Sequence, residues 1–524
     1  MEVATIQSNV VVDNWSHWDM TDFETGEKKW YHKVLEFILP TRKKMNIYIT
    51  KLLILIFFFL TVLGMLMKGA MPGSQVFAVL LLGLLAAIGG KLISFIKLPP
   101  LLGMMIVGFL FRNVEAISFY EDIDRKTIMV LREVALAIIL MRAGLGIDGQ
   151  QLKKSKLAVL RLTVVPLIVE ALSMGVFAHF LLGLPWMFAL MLGFILSAIA
   201  PEVILPVILH LESQGYGGSK GIPTILIAAC SLDDIGAIAG FTICFSIAFS
   251  DDNLIWTIVK APLEPVVGFA FGAVFGVIFW SFPSERLKKN TLIFYNVLLI
   301  SFGAMTVLFA STRLGLPGAG PLGCITLAFI AGIKFRQDEV RFKGVQKVTS
   351  QIWAIINPFL FAMIGTEVTL DTLQNNAGYG ILAIFCALSC RSVATVLVCF
   401  GLNLNFKEKI YMVFSWLPKA VVQAAIGSQA LDYARIHNLH PELQKYGEIV
   451  LNVCVLSILV TAPLSAVLCT VFGPYLLTRD RIPEIEDEYE TEDELSETPK
   501  PSASVAGIEA SSSQPLVTPD SQKH

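Results

Sequence analysis

Long apolar runs, separated by short polar stretches, fill the chain from about residue 46 to residue 477. A membrane-spanning helix needs about 20 consecutive apolar residues, and about fourteen runs of this kind occur, the third of them short. The pattern therefore predicts an all-α polytopic membrane protein. The predicted spans are 46–67, 75–96, 98–111, 127–145, 157–182, 186–209, 222–249, 259–282, 291–310, 319–335, 347–366, 377–401, 407–428 and 447–476.

The composition agrees with a membrane protein and argues against a nucleic-acid partner. Of the 524 residues, 55% are hydrophobic and 16% are charged, and the mean hydropathy is +0.68. An average soluble domain has about 25% charged residues. The net charge of −2 is uninformative about nucleic acid, but we expect no soluble domain of useful size that could carry a basic patch. All 8 cysteines lie in apolar runs, so we expect no disulfide framework, no zinc site and no cofactor.

The distribution of lysine and arginine predicts the orientation of the spans. Cytosolic loops carry an excess of these residues, and their alternation along the chain places both termini in the cytosol. Residues 1–45 then form a cytosolic polar N-terminal tail, and residues 46–477 form the transmembrane domain. The first run begins too late and is too long for a cleaved signal peptide. Residues 478–524 are acidic and rich in proline and serine, which predicts a disordered cytosolic tail.

Two spans are interrupted by proline in matching positions. The sixth contains Pro201 and Pro206, in FILSAIAPEVILPVILH, and the thirteenth contains Pro418, in VFSWLPKAVVQAAIG. Proline removes a helical hydrogen bond, and open backbone at membrane depth is tolerated only beside protein or water. Broken helices in corresponding places mark the binding site of inverted-repeat transporters. The sequence therefore predicts two crossing broken helices at a transport site.

Charged residues accompany both broken helices and form a predicted supporting network. Glu202 and Lys419 each follow the first proline of a broken span, and the preceding spans carry Glu170 and Arg391. From their order and opposite signs, we expect Glu170 to meet Arg391 and Glu202 to lie near Lys419. Two other roles stay open for Glu202, that of a cation ligand and that of a neutral side chain. A purely structural role for the Glu170–Arg391 pair stays open, because buried pairs need not stabilise much.

Asp233 and Asp234, in the apolar run AACSLDDIGAIAG, form the candidate site for a monovalent metal cation and for a proton. An aspartate at the centre of a span costs about 2.5–3.5 kcal/mol, so such residues usually mark ion paths. Without a cation the two charges would repel, and we expect at least one acid to hold a proton that an arriving cation expels. The alternative is a structural pair that caps the broken helices. Ser231 and Thr224 are weaker candidate oxygen ligands, because hydroxyls in spans more often bond to their own backbone.

Arg391 bears on the stoichiometry of exchange. A guanidinium stays protonated at all relevant pH and cannot carry a second proton. If Arg391 is locked to Glu170, only the aspartates remain to titrate, which favours one cation per proton. Lys419 leaves this open, because a buried lysine can titrate.

Seven stretches together resemble the animal NHA branch of the cation/proton antiporters, the superfamily of the bacterial NhaA and NapA exchangers. The resemblance runs from about residue 46 to residue 477. Its parts are LLGMMIVGFLFRN, ILMRAGLGID, HFLLGLPW, GYGGSKGIPT, SLDDI, FSWLPKAVVQAAIGSQALD and SILVTAPL. Their combination is specific, whereas a lone pair of aspartates would not be.

The resemblance implies a secondary active antiporter, not an enzyme, that exchanges Na⁺ or Li⁺, and in some members K⁺, for H⁺. It implies a homodimer with a ten-helix core of inverted repeats, a scaffold region and an elevator-like core motion, in the plasma membrane or in endosomal membranes. Asp234 then matches the main cation ligand and Asp233 its neighbour. Glu170, Arg391 and Lys419 match the charged residues of the family.

Glu202 departs from the family pattern, because mammalian members carry a small residue at this position, and this puts ion selectivity in question. Some members of the branch have been linked to chloride. An H⁺-coupled anion transporter, or a Na⁺-coupled symporter on the same fold, would use Arg391 and Lys419 for an anion.

Two functions of other classes fit less well. An intramembrane aspartyl protease needs two aspartates on different spans, and here Asp233 and Asp234 share one span. A channel needs a ring of sites or a continuous pore, whereas buried acids with two broken helices favour alternating access.

Overall fold

The computed structural model describes residues 73–95, 98–114, 123–147, 156–218, 220–249, 254–316, 318–368 and 370–479, together with positions 57, 61 and 71. The predicted N-terminal tail, most of the predicted first span and the acidic tail from residue 480 onward lie outside the described residues.

The described part of the chain is helical almost throughout. The helices in chain order are α1 (Gln75–Phe95), α2 (Pro100–Asn113), α3 (Arg125–Gly146), α4 (Lys156–Leu182), α5 (Trp186–Ser197), α6 (Pro201–Ser213), α7 (Ile222–Ala248), α8 (Leu254–Ser281), α9 (Lys289–Arg313), α10 (Ala319–Phe335), α11 (Glu339–Thr366), α12 (Leu370–Cys399), α13 (Phe406–Ser415), α14 (Val421–Ile426), α15 (Gln429–Ile436) and α16 (Pro441–Leu476). After the first, each predicted span coincides with a helix or with a broken pair of helices, so the all-α polytopic fold is confirmed.

Within the described residues, 9 helices are long and apolar enough to cross a membrane, if α5 and α6 are taken as one. α2 and α10 are shorter apolar helices. Large apolar side chains such as Leu172 on α4 and Phe269 on α8 remain exposed, as expected of surfaces that face lipid.

The helices pack in two groups. The core group comprises α4–α7 and α12–α16, and the scaffold group comprises α1–α3 and α8–α11. Contacts between the groups are made mainly by α7 and α14, against α3, α8, α10 and α11. The core group contains one order of elements twice: a long helix, a broken pair and a further long helix. The first set is α4, α5 with α6, and α7; the second is α12, α13 with α14, and α16, with the short α15 inserted.

Glycines on α8 allow close packing against α10 inside the scaffold group. A Cβ added at Gly272 would meet the Cβ of Thr326 at 2.8 Å, and one added at Gly276 would meet the Cβ of Ile330 at 2.8 Å. The small-residue face of α8 is therefore used within the subunit.

We call the end of the bundle that holds Arg132 the outer end and the end that holds Lys220 the inner end, after the predicted topology. At the inner end, the fully buried Glu408 of α13 accepts from Lys220 Nζ at 2.8 Å and from Thr478 Oγ1 at 2.7 Å. The amide of Gly217 donates to the carbonyl of Thr478 at 3.0 Å. These bonds fasten the segment that follows α16 to the loop between α6 and α7 and to α13.

Candidate cation and proton site

The two broken helices meet at their unwound segments, residues 198–200 and residues 416–420. The amide of Ala200 donates to the carbonyl of Pro418 at 2.9 Å, so one unwound segment bonds directly to the other. Open backbone at this depth is compatible with a membrane only because it faces protein or an aqueous cleft. The structure thus contains the crossing that the proline pattern predicts.

The three prolines of the pattern have different positions. Pro201 is the first residue of α6, where its fixed φ suits a helix start and its missing amide leaves no donor unpaired. Pro418 lies in the second unwound segment. Pro206 lies buried inside α6, which continues through it, and so does not mark a break.

Gln423 on α14 ties the two broken helices together. Its Nε2 donates to the carbonyls of Ile195 and Ala198, each at 2.8 Å, and its Oε1 accepts from the amide of Ala420 at 2.7 Å. These bonds satisfy carbonyls that have no helical partner where α5 ends. The sequence analysis missed Gln423, for which the available signal is one buried amide within an otherwise apolar run.

A connected set of four charged side chains, the charge block, lies behind the crossing: Glu170, Arg391, Lys419 and Asp233. The guanidinium of Arg391 contacts Glu170, donates to the carbonyl of Ser197 and lies 3.3 Å from Asp233. Lys419 Nζ lies 2.9 Å from the Glu170 oxygen that Arg391 contacts. All four side chains are at most 1% exposed. With two acids and two bases, the charge block has no net charge when all four are ionised.

The adjacent acids on α7 have different partners. Asp233 Oδ2 accepts from the amide of Ile199 at 3.0 Å, so Asp233 is bonded both to Arg391 and to the first unwound segment. Asp234 is 6% exposed, and its buried Oδ1 has no hydrogen-bond partner among the described residues. A buried carboxylate without a partner is costly unless a proton or a cation neutralises it. Asp234 is therefore the stronger candidate of the two for binding either one.

Glu202 and Lys419 do not form the expected pair. Glu202 Oε1 lies 3.4 Å from Arg142 Nη1 on α3, whereas Lys419 pairs with Glu170. The prediction from order and sign is therefore wrong here, because Glu202 lies in the first turn of α6 and faces the scaffold group, while Lys419 reaches α4 inside the core group. The expected contact between Glu170 and Arg391 is present.

The two hydroxyl candidates add no ligand to the site that the structure describes. Thr224 is exposed near the start of α7, about 15 Å along the helix axis from Asp234 at 1.5 Å per residue. It is too far away to share a ligand with Asp234. The side chain of Ser231 lies outside the described residues. The first unwound segment bonds to Asp233 through the amide of Ile199, and carbonyls of such unwound segments coordinate cations in transporters with broken helices.

A second set of ions, the outer cluster, joins the scaffold group to the core group at the outer end. Arg132 of α3 lies 2.7 Å from Asp432 and 3.5 Å from Glu367, and Arg435 lies 3.1 Å from Glu367. The side chains of Arg132, Glu367 and Asp432 are only 3%, 6% and 14% exposed. The sequence analysis missed this cluster, because Arg132 is 300 positions from Asp432 and all its members resemble ordinary charges at span ends.

Aromatic rings pack beside the outer cluster. The ring of Tyr433 lies 5.4 Å from that of Phe245 and 4.9 Å from that of Phe249, measured between centroids. Phe188 lies 5.5 Å from Phe249 and 5.5 Å from Tyr446. These rings join α5, α15 and α16 to the end of α7.

The fold and the site together define a class of protein, the secondary transporters, because crossing broken helices with unwound backbone beside intramembrane charges are typical of that class. Residues 77–477 match the family described as sodium/hydrogen exchanger, transmembrane. The chain belongs to this family.

Individual relatives agree with this assignment. The chain is 42% identical to the human protein sodium/hydrogen exchanger 9B2 over 439 residues, which cover 82% of this chain and 80% of the relative. It is 39% identical to human sodium/hydrogen exchanger 9B1 over 448 residues, with 84% and 85% covered. The fold is similar to that of the sodium proton antiporter MjNhaP1 from Methanocaldococcus jannaschii, with a TM-score of 0.61, 19% identity, and coverage of 77% of this chain and 97% of that chain. The predicted membership of an animal sodium/proton exchanger family is confirmed.

Proposed function

We propose that the protein is a secondary active antiporter that exchanges Na⁺ for H⁺, with both ions competing for Asp234. The observation that carries this proposal is the unpaired Oδ1 of Asp234 beside a charge block that is already balanced. Among the described residues of this site, Asp234 is the carboxylate that lacks a basic partner. One proton or one monovalent cation would neutralise it, and both cannot occupy it at once.

This arrangement favours an exchange of one cation for one proton. Arg391 remains charged at every relevant pH, and Lys419 is bonded to the same Glu170 oxygen as Arg391. Release of a proton from Lys419 would leave the charge block with a net negative charge in a region closed to water, which is unfavourable. Asp234 then carries the exchange alone, and each half cycle moves a single positive charge across the membrane.

Alternating access follows if the core group moves relative to the scaffold group in an elevator-like manner. The outer cluster joins the groups through buried ion pairs, of which Arg132 and Asp432 form the shortest at 2.7 Å. Farther along α3, Arg142 and Glu202 remain 23% and 33% exposed. We take this arrangement as an inward-facing state, in which the closed outer end must open for the second half of the cycle.

The finer points of the proposal are supported by the family resemblance of the motifs. We propose that Li⁺ replaces Na⁺ at the same site, that K⁺ is a further candidate, and that the protein works as a homodimer with both termini in the cytosol. The plasma membrane and endosomal membranes are the proposed locations.

Transport by the full-length protein in proteoliposomes tests the function. An imposed Na⁺ gradient should drive proton movement, followed by a pH-sensitive dye in the lumen, and valinomycin with K⁺ on both sides should leave the rate unchanged if exchange is one for one. A chloride gradient without Na⁺ should drive no proton movement. Proton flux driven by chloride, or Na⁺ uptake without counter-movement of protons, would contradict the proposal.

A further inference from the structure

Glu202 and Arg142 form a charged pair that the exchange mechanism above does not use. Arg142 lies on α3 of the scaffold group and Glu202 in the first turn of α6 of the core group, and 23% of Arg142 and 33% of Glu202 remain accessible. The pair therefore lies where the two helical groups meet, and we call the accessible space beside it the cleft. The side chains of the charge block are at most 1% exposed by comparison. Accessibility thus extends to the first turn of α6 and is almost lost at the charge block.

The position of Glu202 places negative charge beside the cation path. It follows Pro201 at the start of α6, directly after the first unwound segment, where the helix dipole favours an anion. It lies three residues after Ile199, whose amide donates at 3.0 Å to Asp233, the neighbour of Asp234. A cation that entered the cleft would therefore be attracted by Glu202 before it reached Asp234.

Arg142 forms an ion pair with Glu202 across the cleft. It belongs to α3 of the scaffold group, and its guanidinium also lies over the ring of Trp353, 5.6 Å from the centroid. The contact with Glu202 is a single one at 3.4 Å between partly exposed groups. Ion pairs of this kind are weak, so a competing cation can open this pair far more easily than the buried pairs of the charge block.

We propose that Glu202 is an accessory cation site at the mouth of the path to Asp234, and that Arg142 is its built-in competitor. A monovalent cation entering from the inner end takes the place of the Arg142 guanidinium at Glu202 and then passes to Asp234. The inference rests on the proposed cation exchange and adds a residue that sets cation affinity at one face of the membrane. Glu202 raises the local cation concentration, and Arg142 limits this effect.

The test is the KM for Na⁺ and for Li⁺ at each face, measured by proton flux in right-side-out and everted membrane vesicles that contain the full chain. Glu202→Gln should raise the KM at the inner face about three- to tenfold, with the outer KM little changed, because one attractive charge is lost. Arg142→Gln should lower the inner KM by a similar factor, because Glu202 is freed. Glu202→Asp, which keeps the charge, should stay close to the wild type.

Two further measurements separate an electrostatic role from a structural one. The double variant with Arg142→Gln and Glu202→Gln should resemble Glu202→Gln alone, since Arg142 acts through Glu202. Raising the ionic strength with choline chloride should reduce the difference between Glu202→Gln and the wild type. Poor folding would not lower the KM for Na⁺, so a lower KM in Arg142→Gln cannot be a folding artefact. The Arg142→Gln measurement therefore decides the question even if Glu202→Gln is poorly expressed.

The outcomes that overturn the inference differ from those that overturn the exchange function. If the wild type shows no proton movement driven by Na⁺ or Li⁺, the proposed function fails. If the wild type exchanges ions but both single variants shift the KM in the same direction, or shift it equally at both faces, the pair is only a structural contact and the inference fails.

Discussion

Arg391 lies 3.3 Å from the carboxylate of Asp233, and this contact gives two adjacent acids different roles. Asp233 is bonded to Arg391 and to the Ile199 amide, whereas Asp234 keeps an unpaired buried oxygen in the described part of the chain. Neighbouring residues on a helix point about 100° apart. One side chain can therefore complete the charge block while the next faces the ion path.

The first prediction is that Asp234→Asn and Asp233→Asn have different effects. Asp234→Asn should reduce Na⁺-driven proton flux to background while the protein stays folded, because an amide can neither release a proton nor balance a cation. Asp233→Asn should destabilise the fold by about 3–5 kcal/mol, because Arg391 loses one of its two acidic partners in a buried site. Flux in proteoliposomes and thermal unfolding in detergent measure the two effects.

Ligand-dependent stability provides the control for this pair of variants. Na⁺ or Li⁺ at 100 times its Kd should stabilise the wild type by about 2.7 kcal/mol, and this gain should vanish in Asp234→Asn. If Asp234→Asn retains both the flux and the stabilisation by Na⁺, the binding site lies elsewhere.

The second prediction concerns the voltage dependence of transport. Arg391→Lys replaces a group that cannot lose its proton with one that can, so a second proton carrier becomes available and transport should become sensitive to membrane potential. Proton flux with and without a valinomycin clamp measures this. The matched control is Lys419→Arg, made in the wild-type protein, because the charge block then contains no lysine.

If exchange already occurs through Asp234 alone, Lys419→Arg should leave transport insensitive to voltage. A wild-type protein that responds to voltage, together with a Lys419→Arg variant that does not, would show that Lys419 carries a proton and would refute the one-for-one scheme.

The sequence predicted the helices and the crossing well, because hydrophobic runs and prolines act locally. It predicted the contact between Glu170 and Arg391 from their matching places before the two broken spans. It failed for Glu202, whose partner Arg142 lies in a different helical group and could not be deduced from order or sign. Such contacts depend on how the core group sits against the scaffold group, and a single sequence carries no signal of that arrangement.

The third prediction is that the outer cluster stabilises the inward-facing state. Arg132→Gln removes the ion pair to Asp432, which links the two helical groups, and the pair to Glu367, which lies inside the scaffold group. The outward-facing state should then be populated more often, so the apparent KM for Na⁺ should fall at the outer face and rise at the inner face. Vesicles of both orientations provide the measurement.

Glu339→Gln is a suitable control for the outer cluster. It breaks an exposed ion pair with Lys343 one helical turn away, inside the scaffold group, and such pairs contribute about 0.3–0.5 kcal/mol. The two KM values should not change in this variant. Equal shifts at both faces in Arg132→Gln would mean that the cluster does not bias the two states.

The fourth prediction concerns the inner end, where Glu408 binds Lys220 and Thr478. Glu408→Gln should lower the free energy of unfolding by about 1–3 kcal/mol, because a fully buried carboxylate loses a charged partner and its hydrogen bonds are rearranged. Thr478→Val removes one neutral donor and should cost less, about 0.5–1.5 kcal/mol. Thermal unfolding in detergent compares the two, and equal losses would argue against a dominant contribution from the Lys220 pair.

The fifth prediction tests whether the glycine face of α8 packs within the subunit. Gly276→Ala should destabilise the fold, because the new Cβ would meet Ile330 of α10 at 2.8 Å and the backbone carbonyl of Leu327 at 3.0 Å. Gly378→Ala on α12 is the matched control, since a Cβ there meets no atom within 4 Å, and it should stabilise its helix by about 0.5–1 kcal/mol. Thermal unfolding and the mass of the detergent complex should be measured together. A change in oligomeric state in Gly276→Ala, without a lower unfolding temperature of the subunit, would instead place this face between subunits.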